Sequence, residues 1–369
     1  MPDILYTQGK LRFVTILIGI AVTLVACTRE SLNFRYRPLP PSHIEFPRKL
    51  PKRALFTLCH LGETVTIIDA DTWTIVGHIT HPEIRFTSDL AMSDRGILYL
   101  TRDGEAGEIS ETLIPIDLRA GKILNYITLS QAPFRIAISE SGIAVVAHVA
   151  ILGNGQTQVS FIDTHTNRKI HTQVVDGSAT YVAAKDNSAY VLVAAWTPMQ
   201  ENHLLVYDLS DFHIRRRYAL PPGDIPLDGN FVIDKERLFY VVLNEDSPRH
   251  RYKIIELHMN SGRTRVVAEL PTAGELGLVS NSNLIVSSGS YEPETPLRLI
   301  NISNGKIVKE LFVGRNTNVV QSVGRDVFAI NVNDDDVIVV IDGRNFRVLQ
   351  KIYAPCKPFI LRMHFAESH

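Results

Sequence analysis

The sequence predicts an all-β protein: a seven-bladed β-propeller of four-stranded antiparallel blades, closed by the C-terminal strand. The first observation behind this fold class is a unit well represented by Gln158–Val175, in which apolar and polar residues alternate up to Asp163. After a polar turn through Asn167 the alternation resumes at Ile170, which is typical of two antiparallel strands joined by a tight turn.

The second observation is that this unit recurs seven times. Each copy ends a strand on an apolar residue followed by a polar one, and successive pairs are 41 to 48 residues apart. The pairs are Ile68-Asp69, Ile116-Asp117, Ile162-Asp163, Tyr207-Asp208, Ile255-Glu256, Ile300-Asn301 and Ile341-Asp342. A period in the mid-forties with about four short strands per copy indicates propeller blades.

The third observation concerns the two ends of the repeat array. Between copies lies a second hairpin, such as 134–148 with its turn at Gly142, which supplies an inner strand and a second strand. The first copy begins with its second strand, Arg53–Cys59, and the segment Pro358–Phe365 resembles an inner strand without a partner. We expect these two segments to pair and close the ring, which leaves no open sheet edge at the join.

Composition agrees with this fold and narrows the function. The 369 residues are 45% apolar and 21% charged with a net charge of −1, so nothing in the global charge points to nucleic acid. The chain has three cysteines, Cys27, Cys59 and Cys356, too few for a disulfide-dense scaffold or a cysteine-rich zinc site.

The N-terminal residues have the features of an export signal. Lys10 and Arg12 precede an uncharged apolar run of 14 residues, Phe13–Ala26, which is short for a membrane span. The run ends in Leu-Val-Ala-Cys, which resembles the bacterial lipobox. That resemblance implies a signal peptide over residues 1–26 and acylation of Cys27, so that the bilayer is a partner; an uncleaved anchor is the alternative.

Residues 27–52 follow as a tether. They contain five prolines and six basic residues against two acidic ones, which favours an extended basic spacer before a propeller domain at 53–369. The basic residues are scattered, so a solvated linker fits them as well as attraction to anionic lipid does. Cys59 and Cys356 both fall in the composite first blade, where they would form a disulfide or remain as two thiols.

The repeats resemble the YVTN-type seven-bladed propeller family of bacterial and archaeal surface and periplasmic proteins. The family tetrapeptide is degenerate here, and its nearest forms begin at Tyr99, Tyr190, Tyr240 and Phe328. The resemblance covers about residues 53–365. It implies the fold and a location outside the cytoplasm, and it fits ligand binding, adhesion or, as in relatives, lactone hydrolysis.

A ligand site is expected on the face formed by the loops that enter each inner strand and by the loops that join strands two and three. Variable loops on a repetitive scaffold usually carry specificity. The candidate residues on this face are His60, His81, Arg85, Arg102, His148, Trp196, Asn244, Arg315 and Asn331. The loops into the inner strands also contribute Glu83, Asp176, Glu275 and other charged residues, which would suit a polar ligand in or above the central channel.

Other constellations have a structural and a functional interpretation. The repeat aspartates set turns, because catalysis needs one unlike group rather than the same group in most copies. Asp334–Asp336 is an acidic loop tip or a cation site, and His60, His81 and His148 are scattered or share a metal. Arg215–Arg217 is expected to precede an outer strand as a solvated edge guard.

No catalytic residue can be assigned from linear motifs, since nucleophile-elbow, zincin, phosphate-loop and c-type haem patterns are all missing from the sequence. The sequence therefore favours an exported lipoprotein of the cell membrane or outer membrane that acts as a binding or interaction module for an unknown protein or small molecule. A metal-dependent lactonase-like hydrolase with its site at the channel mouth is the alternative, and a divalent ion would be its only cofactor.

Overall fold

A computed structural model of the chain describes residues 43–45, 50–59, 64–102, 110–149, 155–195, 200–221, 224–226, 231–244, 252–280, 282–289, 296–354 and 358–365. Residues 43–369 form one compact unit. None of the described residues belongs to a helix with the length and hydropathy that crossing a bilayer requires. The regular elements within these ranges are strands and two short 3₁₀ helices, Pro82–Ile84 and Asn333–Asp335.

The strands follow one another in the order that the repeats predict. The first three copies contain β1 (His43–Glu45), β2 (Arg53–Cys59), β3 (Thr64–Asp69), β4 (Thr74–Thr80), β5 (Thr87–Met92), β6 (Ile97–Arg102), β7 (Thr112–Asp117), β8 (Lys122–Ile123), β9 (Ile127–Thr128), β10 (Pro133–Ile138), β11 (Ile143–His148), β12 (Gln156–Asp163) and β13 (Arg168–Asp176).

The fourth and fifth copies contain β14 (Ser178–Lys185), β15 (Ser188–Ala194), β16 (His203–Asp208), β17 (Ile214–Ala219), β18 (Asp224–Pro226), β19 (Val232–Asp234), β20 (Arg237–Asn244), β21 (Tyr252–His258) and β22 (Arg263–Leu270). The last two contain β23 (Leu276–Val279), β24 (Asn283–Val286), β25 (Leu297–Asn301), β26 (Ile307–Leu311), β27 (Val320–Gly324), β28 (Val327–Val332), β29 (Val337–Asp342) and β30 (Arg347–Tyr353), and β31 (Pro358–Phe365) ends the array.

These strands form seven antiparallel sheets, one per blade, which confirms the predicted fold class. Blades 2, 3, 4, 6 and 7 start at β5, β10, β14, β23 and β27, and blade 5 shares its inner position between β18 and β19. The predicted closure is confirmed: β31 lies antiparallel to β2 in blade 1, with Arg53 opposite Phe365 and Leu58 opposite Ile360.

Blade 1 also has a strand that the sequence did not predict. Within the segment expected to be a tether, β1 pairs with the outer strand β4, and His43 lies opposite Thr80. Blade 2 departs from the repeat at Pro115, whose carbonyl accepts the N–H of Leu124 on the outer side of β7. Because proline has no N–H to complete the ladder on that side, the outer strand breaks into β8 and β9.

The core of the described chain consists of seven buried apolar clusters, one between each pair of neighbouring blades. Alternation along each strand sends side chains to both sides. On β2, Phe56 packs against blade 2 while Leu55 packs against blade 7. This explains why the second and third strands are almost continuously apolar: both of their faces are buried, as in a sandwich core.

The structural role of the repeat aspartates is confirmed by their hydrogen bonds. In five copies an aspartate Oδ1 accepts the backbone N–H two residues later, at 2.8 Å for His165 and 2.9 Å for Arg119. Asp69, Asp208 and Asp342 do the same, and Asn301 takes this role in blade 6. Such a bond sets the turn into the outer strand.

Candidate functional site

Five ionisable side chains on the inner strands converge at the centre of the ring. They are Asp89 on β5, Arg135 on β10, Tyr181 on β14, Glu275 directly before β23, and Arg362 on β31. Inner strands surround the channel of a propeller. Because all five residues lie within or just before the first five residues of their strands, they share the end of the channel that the incoming loops surround. We refer to these five residues as the channel cluster.

The ion pair between Arg362 and Asp89 links blade 1 to blade 2. An Arg362 Nη lies 2.8 Å from Asp89 Oδ1, and Asp89 is 1% exposed. The second oxygen, Oδ2, accepts the backbone N–H of Ile136 in blade 3 at 3.2 Å. Burial disfavours the charge on Arg362, but the nearby Asp89 and Tyr181 outweigh it and raise the pKa of the guanidinium.

Arg135 supplies the second guanidinium of the cluster. Its Nη1 donates to the carbonyl of Ser88 at 2.9 Å, which ties blade 3 to blade 2. The Cζ atom lies 4.3 Å from the ring centroid of Phe134, a distance at which a cation is attracted to the ring face. The side chain is 7% exposed, so this positive charge is largely removed from water.

Glu275 is the second buried carboxyl of the cluster. Within the described chain it forms no direct ion pair with a side chain. Its Oε2 accepts the backbone N–H of Val320 at 3.1 Å. Burial raises its pKa to about 7, although Arg362, the Val320 N–H and Arg135 act in the opposite direction. Glu275 therefore changes charge near neutral pH.

Tyr181 completes the cluster as a neutral group. Burial raises the pKa of its hydroxyl to about 12. With both guanidiniums and Asp89 charged, the cluster thus has a net charge of about +1 when Glu275 is protonated and about 0 when Glu275 is ionised. The cluster offers both donors and acceptors, and its charge depends on one carboxyl.

Two of the predicted ligand-face residues lie in the interior instead. His148 is 0% exposed, its Nδ1 pairs with the Gln131 carbonyl at 2.8 Å, and its Nε2 pairs with Ser160 Oγ at 2.9 Å. Burial lowers its pKa to about 4, so the ring is neutral. The ligand-face prediction for His148 is wrong because both ring nitrogens already serve the packing of blade 3.

Asn331 is the second such residue. It is fully buried, its Oδ1 accepts the N–H of Val319 at 2.6 Å, and its Nδ2 donates to the Pro358 carbonyl at 2.9 Å. These bonds connect blade 7 to the closing strand β31. Asn331 is a structural residue at the closure rather than a group that faces a ligand.

Four predicted residues do lie in partly or fully exposed positions of loops or strand ends. His81 precedes the 3₁₀ helix Pro82–Ile84, and its Nδ1 accepts the N–H of Glu83. Arg102 pairs with Glu83 at 2.9 Å. Arg85 packs over the ring of Phe86, with Cζ 4.8 Å from its centroid. All three belong to the approach to blade 2.

Arg315 is the fourth, on the loop that enters blade 7. It is half-exposed and lies 3.4 Å from an Asp335 oxygen. Asp335 thereby neutralises an arginine, which favours the solvated interpretation of the acidic tip. Among the described residues, no group of three or more histidine, cysteine or acidic side chains is placed to hold a metal ion.

Several predicted residues fall outside the described part of the chain. These are Cys27, His60, Trp196 and Cys356, and of Asn244 only the backbone is described. The shared histidine site and the acylation therefore stay predictions. Cys59 is disulfide-bonded. It lies opposite Pro358, the first residue of β31. Its pairing with Cys356 stays a prediction.

Sequence reasoning named Glu275 but missed the other four members of the channel cluster. A signal for them exists: Asp89, Arg135 and Arg362 are charged residues inside inner strands whose neighbours are mostly apolar. Superposing the inner strands of the copies exposes these exceptions. Their mutual proximity is not visible in the sequence, because 46 residues separate even the nearest two.

No family model and no curated protein sequence matches the chain. Solved structures are similar over most of the chain. Hydrazine synthase of Kuenenia stuttgartiensis is 14% identical with a TM-score of 0.65, and the match covers 84% of this chain and 97% of that one.

Two further structures resemble the fold. A functionally unknown protein from Desulfotomaculum acetoxidans is 14% identical with a TM-score of 0.61, and the match covers 85% and 99% of the two chains. Apo AztD from Citrobacter koseri is 13% identical with a TM-score of 0.53, over 87% and 98%. At these identities the likeness shows a shared β-propeller fold and nothing about activity.

Proposed function

We propose that this protein is an exported lipoprotein, tethered to a membrane through acylated Cys27, whose propeller acts as a binding module with its ligand at the mouth of the central channel. The observation that carries the binding role is the channel cluster. It gathers two arginines, two carboxyls and a tyrosine from five of the seven blades.

A contribution to folding stability does not explain the channel cluster. Removing charges from water costs several kcal/mol per ion, and replacing a buried ion network by apolar side chains is often neutral or stabilising. In the described chain an apolar cluster already lies between each pair of neighbouring blades, and polar contacts outside the channel, such as that of Tyr218 with the Met259 carbonyl, add to it. Groups of opposite charge with a strongly shifted pKa, gathered in a concave position, are typical of functional sites.

The chemistry of the cluster favours a small polar molecule that carries an anionic group such as a carboxylate. Arg135 and Arg362 present guanidinium donors, which bind planar oxyanions well. Asp89 and Glu275 provide acceptors for hydroxyl or amine groups of the same molecule. Protonation of Glu275 leaves an excess of positive charge and so strengthens the attraction for an anion.

A direct test measures carboxylate binding by the full chain. Thermal unfolding is followed with succinate, citrate and their neutral amides as probes, at pH 6 and pH 8. We expect the carboxylates alone to raise the unfolding temperature and to bind roughly three- to tenfold more tightly at pH 6, where Glu275 is largely protonated.

Two variants separate the site from general effects. Glu275→Gln should keep carboxylate binding and lose its dependence on pH, while Arg263→Gln, a change at an exposed position on the outer strand β22, should behave as the wild type. Equal responses to carboxylates and amides would refute the channel site. The tether is tested separately: mass spectrometry of the mature protein should find a diacylglyceryl group on Cys27, and Cys27→Ser should lack it.

A hydrolase is the second candidate, and Glu275 is the observation that favours it. A carboxyl with a pKa near 7 suits general acid–base catalysis at neutral pH. The test is hydrolysis of lactones and simple esters by the wild type and by Glu275→Gln, with and without added divalent ions. Activity that the variant loses would support this candidate, and no turnover by the wild type under any of these conditions would remove it.

A further inference from the structure

The outer strands of blades 6 and 7 share a surface pattern that other blades lack. In the ladders, Ile307 and Val348 occupy equivalent positions, opposite Ile300 and Ile341. Aligned on these two residues, the outer-strand sequences are Lys306-Ile-Val-Lys-Glu-Leu-Phe312 and Arg347-Val-Leu-Gln-Lys-Ile-Tyr353. Each is a basic residue, two apolar residues, two polar ones, a residue that faces inward and an aromatic ring.

The apolar members of this pattern are unusually open to solvent. Of the eleven large apolar side chains exposed in the described chain, six belong to these two edges: Ile307, Val308, Phe312, Val348, Leu349 and Tyr353. Phe312 is 53% and Tyr353 65% exposed. At the equivalent position blade 1 has Thr80, blade 2 has Thr128, blade 4 has Ala219 and blade 3 has the exposed Val174, so none of these four blades has an aromatic ring there. We call the surface formed by 306–312 and 347–353 the aromatic edge.

Basic side chains lie along the same two strands. Lys306, Lys309, Arg347 and Lys351 are all exposed; Arg347 lies 3.9 Å from Asp342, and the acidic Glu310 is paired with Arg298. Lys309 also bridges the two blades, since its Nζ donates to the Asn345 carbonyl at 3.2 Å. The aromatic edge is therefore both apolar and basic.

The first described residue lies in the blade that neighbours this surface. His43, the first described residue, pairs with Thr80 in blade 1. Thr80, Tyr353 and Phe312 hold equivalent positions in three consecutive blades, because blade 7 lies between blades 6 and 1 in the ring. The described chain thus begins, at His43, in the blade next to blade 7 of the aromatic edge.

We propose that the aromatic edge is a membrane-contact surface that lies against an anionic bilayer. Phenyl and phenol rings concentrate at the membrane–water interface, and lysine and arginine are attracted to anionic headgroups. A second copy of the chain fits less well, because an edge-to-edge contact between copies would bring like charges together. The inference rests on the proposed tether only in that the tether keeps the body close to a membrane.

The test is hydrogen–deuterium exchange of the full chain on vesicles of phosphatidylcholine, with and without added phosphatidylglycerol. We expect exchange in 306–312 and 347–353 to slow about tenfold on the anionic vesicles relative to the neutral ones. The variant Phe312→Ser with Tyr353→Ser should lose this protection. A matched pair, Val174→Ser with Ile214→Ser, removes side chains of similar exposure from blades 3 and 4 and should retain it.

Equal exchange on both vesicle types would overturn the inference. So would protection that appears without vesicles and grows with protein concentration, which would identify a second copy as the occupant. Flotation of the same samples reports on the tether independently. A chain that floats with neutral vesicles but shows no edge protection refutes the contact surface alone, whereas protection on anionic vesicles without flotation on neutral ones supports the surface and refutes the tether.

Discussion

Replacing Glu275 by glutamine should remove a decline in stability that the wild type shows as the pH rises. Burial raises the pKa of Glu275 from 4.5 to about 7. The folded protein therefore holds this proton more tightly than the unfolded chain does, and unfolding releases it between these two pH values. By linkage, the contribution of Glu275 is fully present below pH 4.5 and is lost as the pH rises through about 7.

The size of the effect follows from the pKa values. One pKa unit corresponds to about 1.4 kcal/mol, so Glu275 should lower the free energy of unfolding by roughly 3 kcal/mol between pH 4.5 and pH 8. Glutamine is similar in shape, keeps an oxygen that can accept the Val320 N–H and carries no proton to lose. Its stability relative to the wild type should therefore increase by that amount over the same interval.

Urea unfolding at pH 4.5, 6 and 8 measures this difference. The comparison is made between variant and wild type at each pH, because other groups also titrate in this window. Glu269→Gln, a change at an exposed position on β22, is the control and should stay within about 0.5 kcal/mol of the wild type. If the difference for Glu275→Gln is the same at all three pH values, the carboxyl is not buried as described and the charge argument for the channel fails.

Three further predictions concern groups with defined partners. Burial lowers the pKa of His148 to about 4, so its contribution to stability is present above its unfolded pKa of 6.5 and lost as the pH falls through 4; His148→Gln should reduce this acid sensitivity in the same urea titrations. Breaking the buried pair by Arg362→Met should cost about 3–5 kcal/mol, because Asp89 is left as an uncompensated charge, and Asp89→Asn in the same chain should recover part of the loss in a double-mutant cycle. Removing the disulfide by Cys59→Ser should lower the free energy of unfolding by about 2–5 kcal/mol, and peptide mapping of unreduced wild type should find Cys59 linked to Cys356; a free thiol at Cys356 would disprove that pairing.

The fold was predictable because a propeller is a local unit repeated. The alternation of apolar and polar residues, the turn residues and the recurrent aspartate all act over a few residues. The strands of each copy can therefore be predicted from the sequence of that copy. The turn at Asp163, where Oδ1 accepts the His165 N–H, is one such local interaction. The ring closure was also predictable from the sequence. The first copy lacks an inner strand, and Pro358–Phe365 is the segment that supplies it.

Failures of prediction arose where a residue depends on neighbours far away in sequence. His148 and Asn331 stand at the ends of second strands, where the pattern alone suggests a loop face. In the folded chain the backbone groups of Gln131 and Pro358 approach them and take up their hydrogen-bonding atoms. Whether a strand end is buried or exposed depends on the contacts that the neighbouring blade makes with it. The local sequence pattern does not contain this information.

The sequence by itself determined the number of blades, their strand order, the closing strand and the turn chemistry, because these are set by short-range periodicity. The tertiary structure alone decided which polar residues meet. Asp89, Arg135, Tyr181, Glu275 and Arg362 become neighbours only because rotation about a common axis brings every inner strand to the centre. Their mutual burial, and hence the shifted pKa of Glu275, is a property of the ring that no single repeat contains.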